Sequence, residues 1–166
     1  MMEPEAFGRL LERHSAALVL YARQWCAAPE DVVQEAFLKL HRCRTPPENV
    51  VPWLYRVVRN AAISAARGER RRAQHERLAA SRGESWFVPS EDNALDARTA
   101  AKALECLPTE EREIIIARIW GGLTFEQIAL VADVSSSSAH RLYVAGLTAL
   151  RERLKIPCPE EWNTRS

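Results

Sequence analysis

The side chains with the most chemical potential here are arginines, and they are unevenly spread. Between Trp53 and Arg82 there are eight arginines (56, 59, 67, 70, 71, 72, 77 and 82) against Glu69 and Glu76, a net of +6. Between Gly83 and Glu113, eight acids (84, 91, 92, 96, 105, 110, 111 and 113) stand against Arg98, Lys102 and Arg112, a net of −5. Between Ser135 and Lys155, Arg141, Arg151, Arg153 and Lys155 stand against Glu152, a net of +3. The overall charge of +1 hides two basic blocks around an acidic one. Cationic side chains clustered on helices release the counterions condensed on phosphate backbones, which is the electrostatic footprint of nucleic-acid binding. For Arg67 to Arg72 alone a merely solvated helix end is an equal reading; the second block moves the balance toward DNA.

Covalent chemistry has no comparable support. There is no HExxH, phosphate loop, GxSxG or paired-carboxylate constellation, so neither an enzyme nor a cofactor is expected. Cys26, Cys43, Cys106 and Cys158 form no CxxC pair and read as free thiols. Cys26, His41 and Cys43 could meet around a metal, but no fourth ligand is evident and no metal site is expected. No apolar run reaches the roughly 20 residues of a membrane span, and the charged N-terminus has no signal-peptide core. These features predict a cytoplasmic protein without membrane insertion.

The elements that must carry the charged residues are helices. Strand-like alternation is absent, and three- and four-residue apolar steps recur along the chain. The expected fold class is all-α: two small helical domains joined by a flexible linker. The boundaries read as 1–80 for the first domain, 81–93 for the linker, 94–156 for the second and 157–166 for a tail. The first helix is expected from about Pro4 to Cys26. The second starts at Pro29, with Glu30 and Asp31 complementing the helix dipole. Pro46 and Pro47 enforce a loop, and a third helix is expected from near Pro52. In the second domain a helix spans about 94 to 106. The next is capped by Thr109, and another spans Phe125 to Ala132. The last is capped by Ser135 and runs to about Lys155. Trp86 and Phe87, unusual in a free linker, read either as a docking pair or as a short local cluster.

The segment from Leu123 to Ser135 has the makings of a helix-turn-helix. Thr124 and Gln127 fit a capping box, Ala129 is small where two helices approach, and Asp133 stands where a left-handed turn residue is required. The helix that follows then enters the major groove by its N-terminal end. Ser136, Ser137, Ser138, His140 and Arg141 are its candidate DNA contacts, with Arg141 able to read guanine through two hydrogen bonds. The plain alternative is an αα-hairpin with a serine-rich cap.

Taken together, the two halves resemble an extracytoplasmic-function sigma factor, a small class of the sigma-70 family of bacterial RNA polymerase. Pro29-Glu-Asp-Val-Val-Gln-Glu-Ala-Phe-Leu-Lys-Leu40 is similar to the family's polymerase-binding helix. That likeness implies that Asp31, Gln34, Glu35 and Leu38 contact core RNA polymerase. Pro52-Trp-Leu-Tyr-Arg-Val-Val-Arg-Asn-Ala-Ala-Ile63 is similar to the helix that recognises and melts the −10 element. It implies DNA contacts by Asn49, Arg56, Arg59, Asn60, Arg67, Arg70, Arg71 and Arg72, with Asn49 in the loop that captures a flipped base. Leu107-Pro-Thr-Glu-Glu-Arg112 and the helix-turn-helix resemble the −35-binding domain. Departures are Ser64 in place of an acid, a short loop at 44–52, and Ser-Ser-Ser-Ala-His-Arg at the start of the recognition helix.

The function implied is promoter-specific initiation, with core RNA polymerase and promoter DNA as partners. An anti-sigma factor is a further candidate partner. The alternative is a stand-alone helix-turn-helix regulator whose N-terminal half senses a signal or dimerises.

Overall fold

The computed structural model describes residues 3–76 and 102–154, all of whose regular elements are helical. They are α1 (Pro4–Ala22), α2 (Pro29–Arg42), α3 (Val50–Glu76), α4 (Thr109–Ile119), α5 (Phe125–Ala132) and α6 (Ser136–Leu154). Residues 102–105 form a short helical turn before α4. The rest of the helix expected from 94, the linker with Trp86 and Phe87, and the tail lie outside the described residues.

Helix α1 opens with Pro4 in its first turn, where a missing N–H costs nothing. It stops at Ala22, earlier than the expected Cys26. The Trp25 N–H turns back to the Ala22 carbonyl at 3.0 Å, a tighter i→i+3 bond. Beyond it, Ala28 must leave the helical region because Pro29 follows. Pro29 then starts α2, which buries Val33, Ala36, Phe37 and Leu40 on one stripe.

Helix α3 begins at Val50, two residues before the expected start. Pro52 is compatible with this because the N–H groups of the first helical turn have no partner inside the helix. The Trp53 N–H reaches the Asn49 carbonyl at 3.2 Å, so Asn49 stands at the helix mouth. Leu54, Tyr55, Val58 and Ala62 form its fully buried stripe.

Helix α4 corrects another expectation. Its N-cap is Pro108, with extended ψ of 144°, and no side chain caps it; Thr109 is already helical. The Pro108 carbonyl takes the Arg112 N–H at 3.0 Å. Ile114, Ile115 and Ile116 are all buried because α1, α5 and α6 cover the helix from several sides. Each contributes roughly 1.5–3 kcal/mol by leaving water. Helix α6 approaches so closely that a Cβ on Gly146 would stand 2.7 Å from Ile115 Cδ1, which explains the glycine.

The turn chemistry is as the residues require. Thr124 Oγ1 accepts the Gln127 N–H at 3.3 Å, while Gln127 Oε1 accepts the Thr124 N–H at 2.9 Å. Asp133 is left-handed, φ 59° and ψ 48°. Ser135 Oγ accepts the Ser138 N–H at 3.1 Å.

Helices α1–α3 pack on one another, as do α4–α6, and one apolar cluster runs through both groups. Helix α3 lies against α5, and α1 against α4. This seam between the two halves was not foreseen.

Candidate nucleic-acid interface and interdomain seam

At the start of α6, Ser137, His140 and Arg141 are exposed, while Ser136 and Ser138 are half-buried. Ser135 Oγ donates to Ser138 Oγ at 2.8 Å and lies 3.1 Å from Ser137 Oγ, so these hydroxyls are occupied with the cap. The His140 ring meets Phe125 edge to face at 5.1 Å. Phe125 also carries the Arg118 guanidinium 4.8 Å above its ring, and Arg118 donates to the Leu123 carbonyl at 2.7 Å. These contacts fix how α5 and α6 cross. Arg141 has no ion-pair partner among the described residues and faces solvent. Glu126, at the open end of α5, is held below the usual carboxylate range, chiefly by its own backbone N–H and by the Thr124 hydroxyl.

On α3, Arg56, Asn60, Arg67, Arg70, Arg71 and Arg72 are exposed, as is Asn49 just before the helix. They form a cationic edge about six turns long at 5.4 Å per turn. Arg59 differs. Its side chain is 23% exposed, and its Nε donates to Glu113 Oε1 at 2.7 Å, with Nη2 3.4 Å from Oε2. Here Arg59 is engaged by protein rather than presented to solvent.

Glu113 is the residue that sequence reasoning missed. It is the one buried charged side chain among the described residues, 4% exposed. Besides Arg59 it accepts the Tyr21 hydroxyl at 2.5 Å. Tyr21 meets Tyr55 at 4.8 Å and Trp25 at 5.1 Å, both edge to face, and Arg59 lies 6.0 Å from the Trp25 ring centre. Burial and the Glu113 charge push the Tyr21 hydroxyl well above its ordinary range, so it remains a donor. Burial alone lowers Arg59, but its hydrogen bond to Glu113 and that residue's charge outweigh it, and Asp133 of the helix turn adds to the same effect. Close by, Arg112 Nε donates to Gln24 Oε1 at 3.3 Å. The available signal was Glu113 itself, a charge placed directly before three isoleucines.

The Tyr55 hydroxyl is buried with no hydrogen-bond partner. A Cβ on Gly121 would lie 2.7 Å from it and 2.5 Å from the Ala117 carbonyl. A buried orphan hydroxyl costs about 1–3 kcal/mol, so the seam is well registered without being maximally adhesive.

On α2, Asp31, Gln34, Glu35 and Leu38 share the exposed face. Glu35 and Lys39 are 3.9 Å apart in an exposed i,i+4 pair, a contact of small energy. Beside this face runs an apolar groove of about 520 Å³ between α1 and α2, lined by Phe7, Leu11, Val19, Val33, Phe37 and Leu38 among others. Leu11 and Leu38 are each 40% exposed, an arrangement that suits a partner helix more than bulk water. Leu11 lines this groove from α1 while remaining partly open to solvent.

Cys26, Cys43 and Cys106 are free thiols, and Cys158 lies outside the described residues. Among the described residues no group of three His, Cys, Asp or Glu side chains is placed to hold a metal. No helix among them is long and apolar enough to cross a membrane.

A helical N-terminal unit with an exposed cationic helix, followed by a helix-turn-helix, defines a two-part DNA-binding protein. The family model for sigma-70 region 2 matches residues 10–72, and that for sigma-70 region 4 matches residues 103–152. The chain belongs to the sigma-70 family, with the two-region composition of its extracytoplasmic-function class. The RNA polymerase sigma factor CarQ of Myxococcus xanthus is 28% identical over 160 residues, covering 90% of each chain. The probable RNA polymerase sigma factor RfaY of Xanthomonas campestris pv. campestris is 26% identical over 166 residues. That alignment takes in 90% of this chain, which spans 40% of the length of RfaY.

The fold is shared with two solved structures. The sigma factor RpoE in complex with the anti-sigma factor NepR, from Bartonella quintana, has a TM-score of 0.74 at 23% identity over 93% of this chain and 99% of that one. CnrH in complex with the cytosolic domain of CnrY has a TM-score of 0.61 at 24% identity over 94% of this chain and 92% of that one.

Proposed function

We propose that this sigma factor is a dissociable initiation subunit that directs bacterial core RNA polymerase to particular promoters. The observation that carries the reading is the presence of both region 2 and region 4 on one chain. Residues 1–80 would bind the polymerase and open the −10 element, and residues 94–156 would bind the −35 element. The stand-alone regulator is not favoured, since the N-terminal half matches region 2 instead of a sensor module.

In this reading α6 enters the major groove by its N-terminal turn. Arg141 reads a base edge there, and Ser137 and His140 contact base or phosphate. The free arginines of α3 follow the backbone of the separated strand, with Asn60 beside them and Asn49 at a flipped base. Asp31, Gln34, Glu35 and Leu38 meet the polymerase, where an acidic and amide-bearing face suits an arginine-rich surface. The acidic stretch between the domains passes through the enzyme's basic interior. The chain itself catalyses no covalent step, needs no cofactor, and acts in the cytoplasm. An anti-sigma factor is a proposed regulator, by likeness to the two solved complexes.

The test is co-elution of the purified chain with core RNA polymerase, set beside an Asp31→Ala/Gln34→Ala double variant. Association that the variant loses while keeping its helical content supports the reading. No association of the folded wild-type chain overturns it.

A further inference from the structure

We infer that Tyr21, Glu113 and Arg59 form a latch that holds the two DNA-binding halves in a closed state unable to occupy a promoter, and that Glu113 holds Arg59 where a DNA phosphate would otherwise bind it. The inference rests on the proposed promoter function.

The latch joins parts of the chain that act on different DNA elements. Tyr21 on α1 and Arg59 on α3 belong to the stretch matched by region 2, and Glu113 on α4 to that matched by region 4. Their separations in sequence are 92 and 54 residues. Gln24 and Arg112 make a second polar link across the same seam.

Scale argues that this arrangement is not the one used on DNA. Elements centred at −35 and −10 are about 25 base pairs apart, or about 85 Å at 3.4 Å per base pair. Helix α3, which bears the strand-opening residues, packs directly on α5, the first helix of the helix-turn-helix. Packed helices lie only about 8–10 Å apart. A single chain in this form cannot place α6 in the groove at one element and α3 on the strand at the other. The halves must part, and parting exposes Glu113 and releases Arg59.

The chemistry of the seam suits reversible closure. A buried ion pair confers register more than net adhesion, because desolvation offsets much of the attraction. The partnerless Tyr55 hydroxyl facing Gly121 weakens the seam further. Both oxygens of one carboxylate approach the Arg59 guanidinium at 2.7 and 3.4 Å, the fork contact that a phosphate also makes. Arg59 stands between exposed Arg56 and Asn60 on α3, so its release completes the cationic edge. DNA and Glu113 therefore compete for one side chain.

The decisive experiment locks the seam in the full chain. Gln24→Cys and Arg112→Cys are introduced with the four native cysteines replaced, and a short, thiol-cleavable bis-maleimide bridges them. Run-off transcription with core RNA polymerase is measured before and after cleavage of the bridge. The inference predicts at least a tenfold loss in the bridged chain, restored on cleavage. Equal transcription by the bridged and cleaved chains overturns it. Failure of the unmodified wild-type chain to support transcription would instead count against the promoter function.

A second measurement uses Glu113→Gln, which keeps an acceptor but removes the charge. Its affinity for a forked promoter duplex, in complex with core polymerase, is expected to rise about fivefold or more. Unchanged or weaker binding by the folded variant overturns the competition.

Discussion

The start of α6 and the seam between α3 and α4 treat an arginine in opposite ways. Arg141 projects into solvent without an ion-pair partner among the described residues, on a helix end stapled by serine hydroxyls and by Phe125. Arg59 is turned inward onto a carboxylate that is itself 4% exposed. The same side chain is thus presented to solvent in one place, as the proposed reader of DNA, and ties the two halves together in the other. The difference lies in its surroundings: an open helix terminus leaves the guanidinium hydrated, whereas a seam walled by aromatic rings obliges it to find a counter-charge.

The sharpest way to break this contrast is to remove the counter-charge. Glu113→Ala leaves Arg59 and the Tyr21 hydroxyl buried without their acceptor, and should cost about 3–5 kcal/mol of stability in urea unfolding. The Arg59→Ala/Glu113→Ala double variant should cost less than the sum of the single changes, because the two residues share one interaction. A loss under about 1 kcal/mol for Glu113→Ala would make the seam no more than a surface ion pair.

At the other arginine the expected effect falls on recognition instead of stability. Arg141→Ala should weaken binding to a preferred upstream sequence by about 1–3 kcal/mol while leaving the unfolding midpoint unchanged. An equal loss on every sequence, with a shallower salt dependence, would reassign Arg141 to a phosphate.

The frame that presents Arg141 should be less costly to disturb than the seam. Thr124→Ala removes the capping box and should lower stability by about 1 kcal/mol in thermal or urea unfolding. The smallest effect concerns pH. Burial first, and Arg13 second, hold His14 below its ordinary pKa. The unfolded chain therefore binds the more protons near that value, so this contribution is present above it and lost as pH falls through it. Stability measured from pH 7.5 to 5.5 should fall slightly from this source, and His14→Gln should flatten that part of the curve.

Much of this contrast was legible in the residues, and the part that was not has a physical reason. Helix periodicity, the Thr124–Gln127 box and the left-handed Asp133 are local features, each decided within a few residues. They placed the helix-turn-helix, whereas the exposed face of α2 with its Asp31, Gln34, Glu35 and Leu38 followed from the family resemblance. Helix ends were less secure: α1 stops before Trp25, α3 starts before Pro52, and Pro108 displaces Thr109 from the cap. The seam was invisible because no local pattern says that Glu113 will meet Arg59, 54 residues away. Charge counting placed Glu113 in an acidic block, and the family resemblance placed Arg59 among DNA contacts. A pairwise contact between domains turns both inward.

The most direct test of the central claim is to transcribe a library of genomic fragments with core RNA polymerase, with and without the purified chain, and to map the 5′ ends of the products. The account predicts start sites that depend on the chain and share two upstream sequence elements at constant spacing, with the farther one degraded by Arg141→Ala. Start sites identical with and without the chain, from a protein that still binds DNA, would contradict it.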